Sequence, residues 1–179
     1  ALSYEVRERA ILQGINLEVC KGEILAVMGR SGCGKTTLLK LIMGLLRPSG
    51  GEIWVEGREI SRLEERELLG VRRQMGYIFQ NAALFDSLTV AENVGFGLKE
   101  NNLAGEAEIA RRVSEKLALV GMAGTEALYP AELSGGMRKR AGVARALVME
   151  PSVILYDEPT VGQDPPTAGS LNDLMLSLR

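Results

Sequence analysis

The stretch Gly29-Arg30-Ser31-Gly32-Cys33-Gly34-Lys35-Thr36 restricts the possible folds of this chain more than any other. It fits G-x-x-x-x-G-K-[ST], in which glycines free backbone N–H groups to cradle phosphates, the lysine reaches the terminal phosphates and the hydroxyl takes a Mg²⁺ ion. Ile24 to Met28, just before it, is a short continuous apolar run of the kind that forms a buried parallel strand. Thr37 to Met43, just after it, reads as a helix. Strand, glycine loop and helix follow in the order that a phosphate cradle requires. A second glycine-marked helix start, Leu133-Ser134-Gly135-Gly136-Met137, lies well downstream, ahead of an apolar strand, Ser152 to Tyr156, that ends in Asp157-Glu158.

The rest of the chain divides by periodicity. Leu12 to Val19 partly alternates, and Glu52 to Gly57 reads as a short strand closed by a turn. From about Ser61 to Ala146 the chain reads as mostly helical, interrupted by a buried strand at Met75 to Phe79. Within Glu106 to Met122, apolar Ile109, Val113, Leu117 and Val120 recur at helical spacing while Arg111, Arg112, Glu115 and Lys116 face away. After Tyr156 the expectation is a loop containing three prolines and a last amphipathic segment, Leu171 to Leu178. Strands alternating with helices, plus a helical insert, predict an α/β fold with a mainly parallel sheet.

With 46% hydrophobic and 25% charged residues, 179 residues suffice for one globular domain with a proper core. The net charge of −2 and pI near 5.4 argue against a dedicated nucleic-acid binder, so no nucleic-acid partner is expected. No apolar run approaches the roughly 18 to 20 residues that span a bilayer, and the first residues lack a signal-peptide pattern. The two cysteines, Cys20 and Cys33, form no CxxC, and the absence of histidine leaves no zinc constellation. Cys33 near a helix N-terminus is open to thiol activation, but its plainer reading is a small filler of the phosphate loop.

Asp157 and Glu158 end a strand where parallel sheets present their ligands. An aspartate there can hold Mg²⁺, and a neighbouring glutamate can polarise the water that attacks a γ-phosphate. Ser134 is a good N-cap, yet two glycines in the first turn weaken the helix by about 0.5–1 kcal/mol each relative to alanine. Exposed N–H groups that meet an incoming anion would offset that loss. Since the chain already carries one complete cradle, the second helix start is expected to serve the nucleotide of another copy.

These residues resemble the ATP-binding subunits of ABC transporters. Gly29 to Thr36 looks like the Walker A motif, Gln80 the Q-loop, Leu133 to Met137 the signature, Val153 to Pro159 the Walker B motif and Gly162-Gln163-Asp164 the D-loop. The resemblance implies a P-loop NTPase (RecA-like) core with a small antiparallel β part. It also implies one ATPase domain, with residues 1–80 and 150–179 as core and about 81–149 as a helical subdomain. It implies ATP and Mg²⁺ as cofactors: Gly29, Arg30, Ser31, Gly32, Cys33, Gly34, Lys35, Thr36 and Thr37 around the phosphates, and Thr36, Gln80 and Asp157 at the metal. Lys35, Gln80 and Glu158 are the implied catalytic residues, with Glu158 as general base. Ser134, Gly135, Gly136 and Met137 would reach the γ-phosphate of a second copy, and Asp164 would line that head-to-tail dimer.

Met137 in place of the commoner glutamine, the following Arg138-Lys139-Arg140, and Gly162-Gln163-Asp164 are similar to the Mla/Mce-type lipid-transport ATPases. That implies an integral membrane permease, received at apolar Ala82 to Phe85, an MCE-type lipid-binding protein, and a place on the cytoplasmic face of the inner membrane. Arg138 to Arg140 otherwise reads as a solvated helix face. Val6 stands where the family places an adenine-stacking aromatic, with Tyr4 two positions off. The family's switch histidine has no counterpart, and the chain is expected to be clipped at its first strand and truncated after Arg179. It should therefore bind Mg-ATP but hydrolyse it slowly when alone. A soluble ABC-type ATPase without a transporter and a nucleotide-sensing regulator are the alternatives.

Overall fold

A computed structural model describes residues 1–178, which fall into two compact units, 1–72 and 73–178. The first unit begins with an antiparallel hairpin, β1 (Leu2–Val6) and β2 (Arg9–Ile15). Its two-residue turn, Arg7-Glu8, takes φ of 48° and 64°, the left-handed pair that matches the twist of hairpin strands. The same device closes β3 (Trp54–Val55) on β4 (Arg58–Glu59) through Glu56 and Gly57. Helices α1 (Lys35–Ile42) and α2 (Glu65–Arg72) complete the unit. Arg72 closes it by donating to the carbonyls of Met43 and Gly44, both at 2.9 Å, and pairing with Glu65.

The expected strand at Ile24 to Met28 is not formed. An extended segment becomes a strand only when its N–H and C=O groups meet a neighbour, and no described strand pairs with this one. Its side chains are correspondingly exposed, Met28 by 90%.

In the second unit β5 (Met75–Ile78) and β6 (Val153–Tyr156) form a parallel pair, Met75 opposite Val153 through Ile78 opposite Tyr156. Both are short apolar runs, as strands covered on two faces require. The helices are α3 (Val90–Glu100), α4 (Glu106–Leu119), α5 (Gly135–Leu147) and α6 (Pro165–Ser177). Val90, Val94 and Leu98 of α3, Val113 and Leu117 of α4, and Val143 of α5 are almost wholly buried in one core. Val113, Leu117 and Val120 thus face inward as the periodicity predicts, and Ile109 packs against the same core. Gly95 permits the close crossing of α3 on α4, because a Cβ there would lie 2.9 Å from the Ile109 side chain. Thr89 and Glu92 cap α3 reciprocally.

The proline loop is shorter than expected. Pro165 and Pro166 form the first turn of α6, where a missing N–H costs nothing, and Asp164 caps the helix by accepting from the Thr167 N–H at 3.2 Å.

Candidate functional site

In the first unit, the loop from Gly29 to Gly34 runs into α1. Gly32 and Gly34 take φ of 78° and 101°, conformations that side chains rarely adopt. Gly34 also abuts β2, since a Cβ there would lie 2.8 Å from the Leu12 side chain and 3.3 Å from the Ile11 carbonyl. As N-cap it supplies no side-chain bond to α1, and the first turn carries no acid. A helix start of this kind suits an anion, which the helix dipole favours there. The Lys35 ammonium arches back over the loop, donating to the carbonyls of Gly29 at 3.0 Å and Arg30 at 3.3 Å. Ser31, Gly32 and Cys33 are exposed, whereas Thr36 and Thr37 are half-buried in the first turn of α1. Cys33 is a free, exposed thiol. These residues fit a polyphosphate: donors converge, one ammonium is held at the loop, and no carboxylate competes within the first turn.

In the second unit, the parallel pair delivers Gln80, Asp157 and Glu158 to one edge. Asp157 continues the ladder through its N–H to the Ile78 carbonyl at 2.9 Å. The Tyr77 hydroxyl donates to its carboxylate at 2.9 Å. Burial first, and the bond to Asp157 second, push the Tyr77 phenol well above its ordinary range, so it stays a donor that orients the carboxylate. Glu158 takes φ of 49°, a sharp departure at the strand end that residues with side chains adopt at a cost. Gln80 is exposed, with no side-chain hydrogen bond among the described residues. An amide and a carboxylate on one edge are oxygen donors of the kind that suit Mg²⁺.

The second glycine-marked helix start is α5. Ser134 caps it, accepting from the Met137 N–H at 3.2 Å, and Gly135 and Gly136 form its first turn. Gln163 lies against them: a Cβ on Gly136 would be 3.5 Å from the Gln163 amide oxygen and 3.1 Å from the Thr167 methyl. The described residues thus place the signature-like and D-loop-like segments side by side.

Residues 12–161 match the ABC transporter family. The chain belongs to that family of ATP-binding cassettes. It is 47% identical to the intermembrane phospholipid transport system ATP-binding protein MlaF of Haemophilus influenzae over 99% of its length and 67% of that relative's. It is 45% identical to the methionine import ATP-binding protein MetN of Carboxydothermus hydrogenoformans, over 96% of this chain and 51% of that one. Among solved structures it superposes with a TM-score of 0.87 on the dimeric, post-hydrolysis cassette MJ0796 bound to ADP and Pi. That match is 32% identical and covers 97% of this chain and 78% of the other. This chain therefore spans only about half to two-thirds of the curated relatives' length.

Within that cassette, Arg138 is exposed as a solvated face requires, but Lys139 and Arg140 are half-buried, and all three donate to main-chain carbonyls. Arg138 donates to the Leu133 carbonyl at 2.7 Å, Lys139 to those of Pro159 at 2.7 Å and Val161 at 2.5 Å, and Arg140 to that of Val120 at 2.7 Å. Burial lowers the Lys139 ammonium from its ordinary range. Backbone carbonyls have no sequence signature, which is why a run of cations gave no hint of these braces. Tyr77 was missed for a related reason, being one aromatic in an apolar strand; its position two residues before Phe79, on the alternating face, is the only signal it carries. No helix among the described residues is long and apolar enough to cross a membrane.

Proposed function

We propose that this chain binds and hydrolyses ATP as the motor subunit of a phospholipid or other lipid transporter. The parallel pair that brings Gln80, Asp157 and Glu158 to one edge carries the hydrolytic half of this reading. In it, Lys35 exchanges its bonds to the loop carbonyls for the β- and γ-phosphate oxygens, and the N–H groups from Gly29 to Thr37 hold the chain of phosphates. A bound Mg²⁺ supplies charge neutralisation at the transferred phosphoryl group. The Thr36 hydroxyl, the Gln80 amide oxygen and the Asp157 carboxylate would hold it, with Tyr77 fixing the carboxylate. Glu158 accepts a proton from the attacking water. Ser134 to Met137 completes the site of a second copy, with Asp164 at that contact, so turnover needs a head-to-tail dimer.

On this reading the cassette is one domain whose helical part spans about 81–149. It docks through that part on a membrane permease at the cytoplasmic face and works with an MCE-type lipid-binding protein. Lipid is preferred over an amino acid because the MlaF match covers 99% of this chain and 67% of that relative, against 96% of this chain and 51–53% of the MetN relatives, whose identity of 45–49% brackets the 47% for MlaF. The setting of Met137 and the Gln163 contact with the signature glycines support the same choice.

Two measurements test the proposal. Lys35→Ala should weaken ATP binding at least tenfold, and Glu158→Gln should accumulate an ATP-dependent dimer by size exclusion with light scattering. ATP binding unchanged by Lys35→Ala, or Glu158→Gln remaining monomeric in saturating ATP, refutes the shared-site mechanism. ATPase activity of the reconstituted transporter stimulated by methionine and not by phospholipid refutes the lipid assignment.

A further inference from the structure

After Gln80 the chain makes an unusual bend. Ala82 and Ala83, one after the other, take φ of 58° and 49°, which L-residues adopt only when something holds them there. Two features of α5 do so. Gly142 lets the helix approach Ala82 so closely that a Cβ there would sit 3.2 Å from the Ala82 methyl and 3.4 Å from its carbonyl oxygen. One turn later Arg145 donates Nη2 to the Ala82 carbonyl at 2.6 Å and Nη1 to the Ala83 carbonyl at 2.5 Å. Its guanidinium carbon also stands 5.9 Å from the centre of the Phe79 ring. Arg145 makes no ion pair among the described residues, so its charge is committed to this segment alone. A planar fork reaching two adjacent carbonyls, with an aromatic face beside it, is a geometry that lysine cannot reproduce.

We propose that Arg145 is a positioning residue for Gln80. It contacts Phe79 on one side of Gln80 and the Ala82-Ala83 bend on the other, and thereby sets where the Gln80 amide is presented to the divalent cation of a bound nucleotide. The inference rests on the reading of Gln80 as a ligand of that cation. It adds that α5, which begins at the signature glycines, holds that ligand's backbone in place.

The test compares ATP affinity in Mg²⁺ with ATP affinity in EDTA for the full chain, its Gln80→Ala and Arg145→Ala variants, and Arg145→Lys. Hydrogen exchange of residues 79–85 is followed alongside. Arg145→Ala should lose about tenfold of the affinity that Mg²⁺ adds, the scale of a lost support behind a metal ligand, while affinity in EDTA stays unchanged. Exchange at 79–85 should quicken, and Arg145→Lys should recover only part of either effect. If Gln80→Ala loses the Mg²⁺-dependent gain but Arg145→Ala and Arg145→Lys both keep it, the positioning role is overturned while the ligand reading stands. If Gln80→Ala itself keeps the gain, the ligand reading fails and this inference falls with it. Should Arg145→Ala not fold, Arg145→Lys decides: full Mg²⁺-dependent gain with wild-type exchange overturns the proposal, and partial loss with faster exchange supports it.

Discussion

Asn93 offers a sharp check on the energetics of the segment that leads from the Gln80 bend into α3. Its side chain is completely buried. The amide oxygen accepts from the Phe85 N–H at 2.7 Å, and the amide nitrogen donates to the carbonyls of Phe85, Leu88 and Thr89, each at 3.0 Å. Two of those four groups have another partner: the Phe85 carbonyl also accepts from Leu88 N–H at 3.2 Å, and the Thr89 carbonyl from Asn93 N–H at 2.9 Å. Asn93→Ala therefore orphans the Phe85 N–H and the Leu88 carbonyl. At about 1–3 kcal/mol for each unmet polar group, the expected loss is about 2–6 kcal/mol, a large share of the ~5–15 kcal/mol available to a domain. With a urea slope of about 2 kcal/mol/M, the midpoint should fall by about 1–3 M. Asn93→Leu, which refills the volume, should lose nearly as much, because the cost lies in stranded backbone and not in a cavity. Urea denaturation followed by circular dichroism measures both variants. An Asn93→Leu midpoint within about 0.3 M of the parent, about 0.6 kcal/mol on the same slope, would refute the reasoning.

Lys139→Met keeps the aliphatic stem but removes the donors to Pro159 and Val161. It should cost about 2 kcal/mol, within the range for bonds to a charged group, and speed proteolytic cleavage at 159–163 without affecting 79–85; equal protection at both places contradicts it. Tyr77 and Tyr156 should ionise late in an absorbance titration: burial pushes Tyr156 up to about 12, and burial together with Asp157 raises Tyr77 further. Because both folded values lie above the unfolded one, the stability these phenols provide is whole below about pH 10 and drains away as pH rises through the folded values. Tyr77→Phe should flatten part of that alkaline loss in thermal melts, and an unchanged profile counts against the Asp157 bond.

What could be read from the sequence was whatever constrains the backbone directly. Gly32 and Gly34 stand where φ is positive, so the phosphate loop announces itself residue by residue. The spacing of Val113, Leu117 and Val120 reports a buried helix face because burial imposes it. Ile24 to Met28 shows the limit of that logic. Its apolar run satisfies a strand's preference for burial, but a strand also needs a hydrogen-bonded neighbour, and no local pattern reveals whether one is present. Pro165-Pro166 shows another: proline breaks helix interiors yet suits a first turn, and only the Asp164 cap tells the two apart. The contacts made by Tyr77, Lys139 and Arg145 were illegible because their partners are a distant carboxylate and main-chain carbonyls.

Helix α5 gathers these unread contacts into one pattern. At 100° per residue, positions three apart share a face, and three times along this helix a glycine is followed three residues later by a cation, at Gly135 and Arg138, Gly136 and Lys139, and Gly142 and Arg145; the last two pairs each grip a neighbouring segment. Gly136 admits Gln163 and Thr167, and Lys139 holds the carbonyls of Pro159 and Val161. Gly142 admits Ala82, and Arg145 holds the carbonyls of Ala82 and Ala83. The Gly142 pair is rotated by six residues, about 240° from the Gly136 pair, so the two grip different segments, and Val143 and Leu147 of the same helix lie in the core. Each glycine brings a loop into van der Waals contact, and each cation then donates to main-chain carbonyls of that loop. The pairing explains why glycines persist inside a helix that they weaken. It also makes α5 an element that holds both the segment after Glu158 and the segment after Gln80.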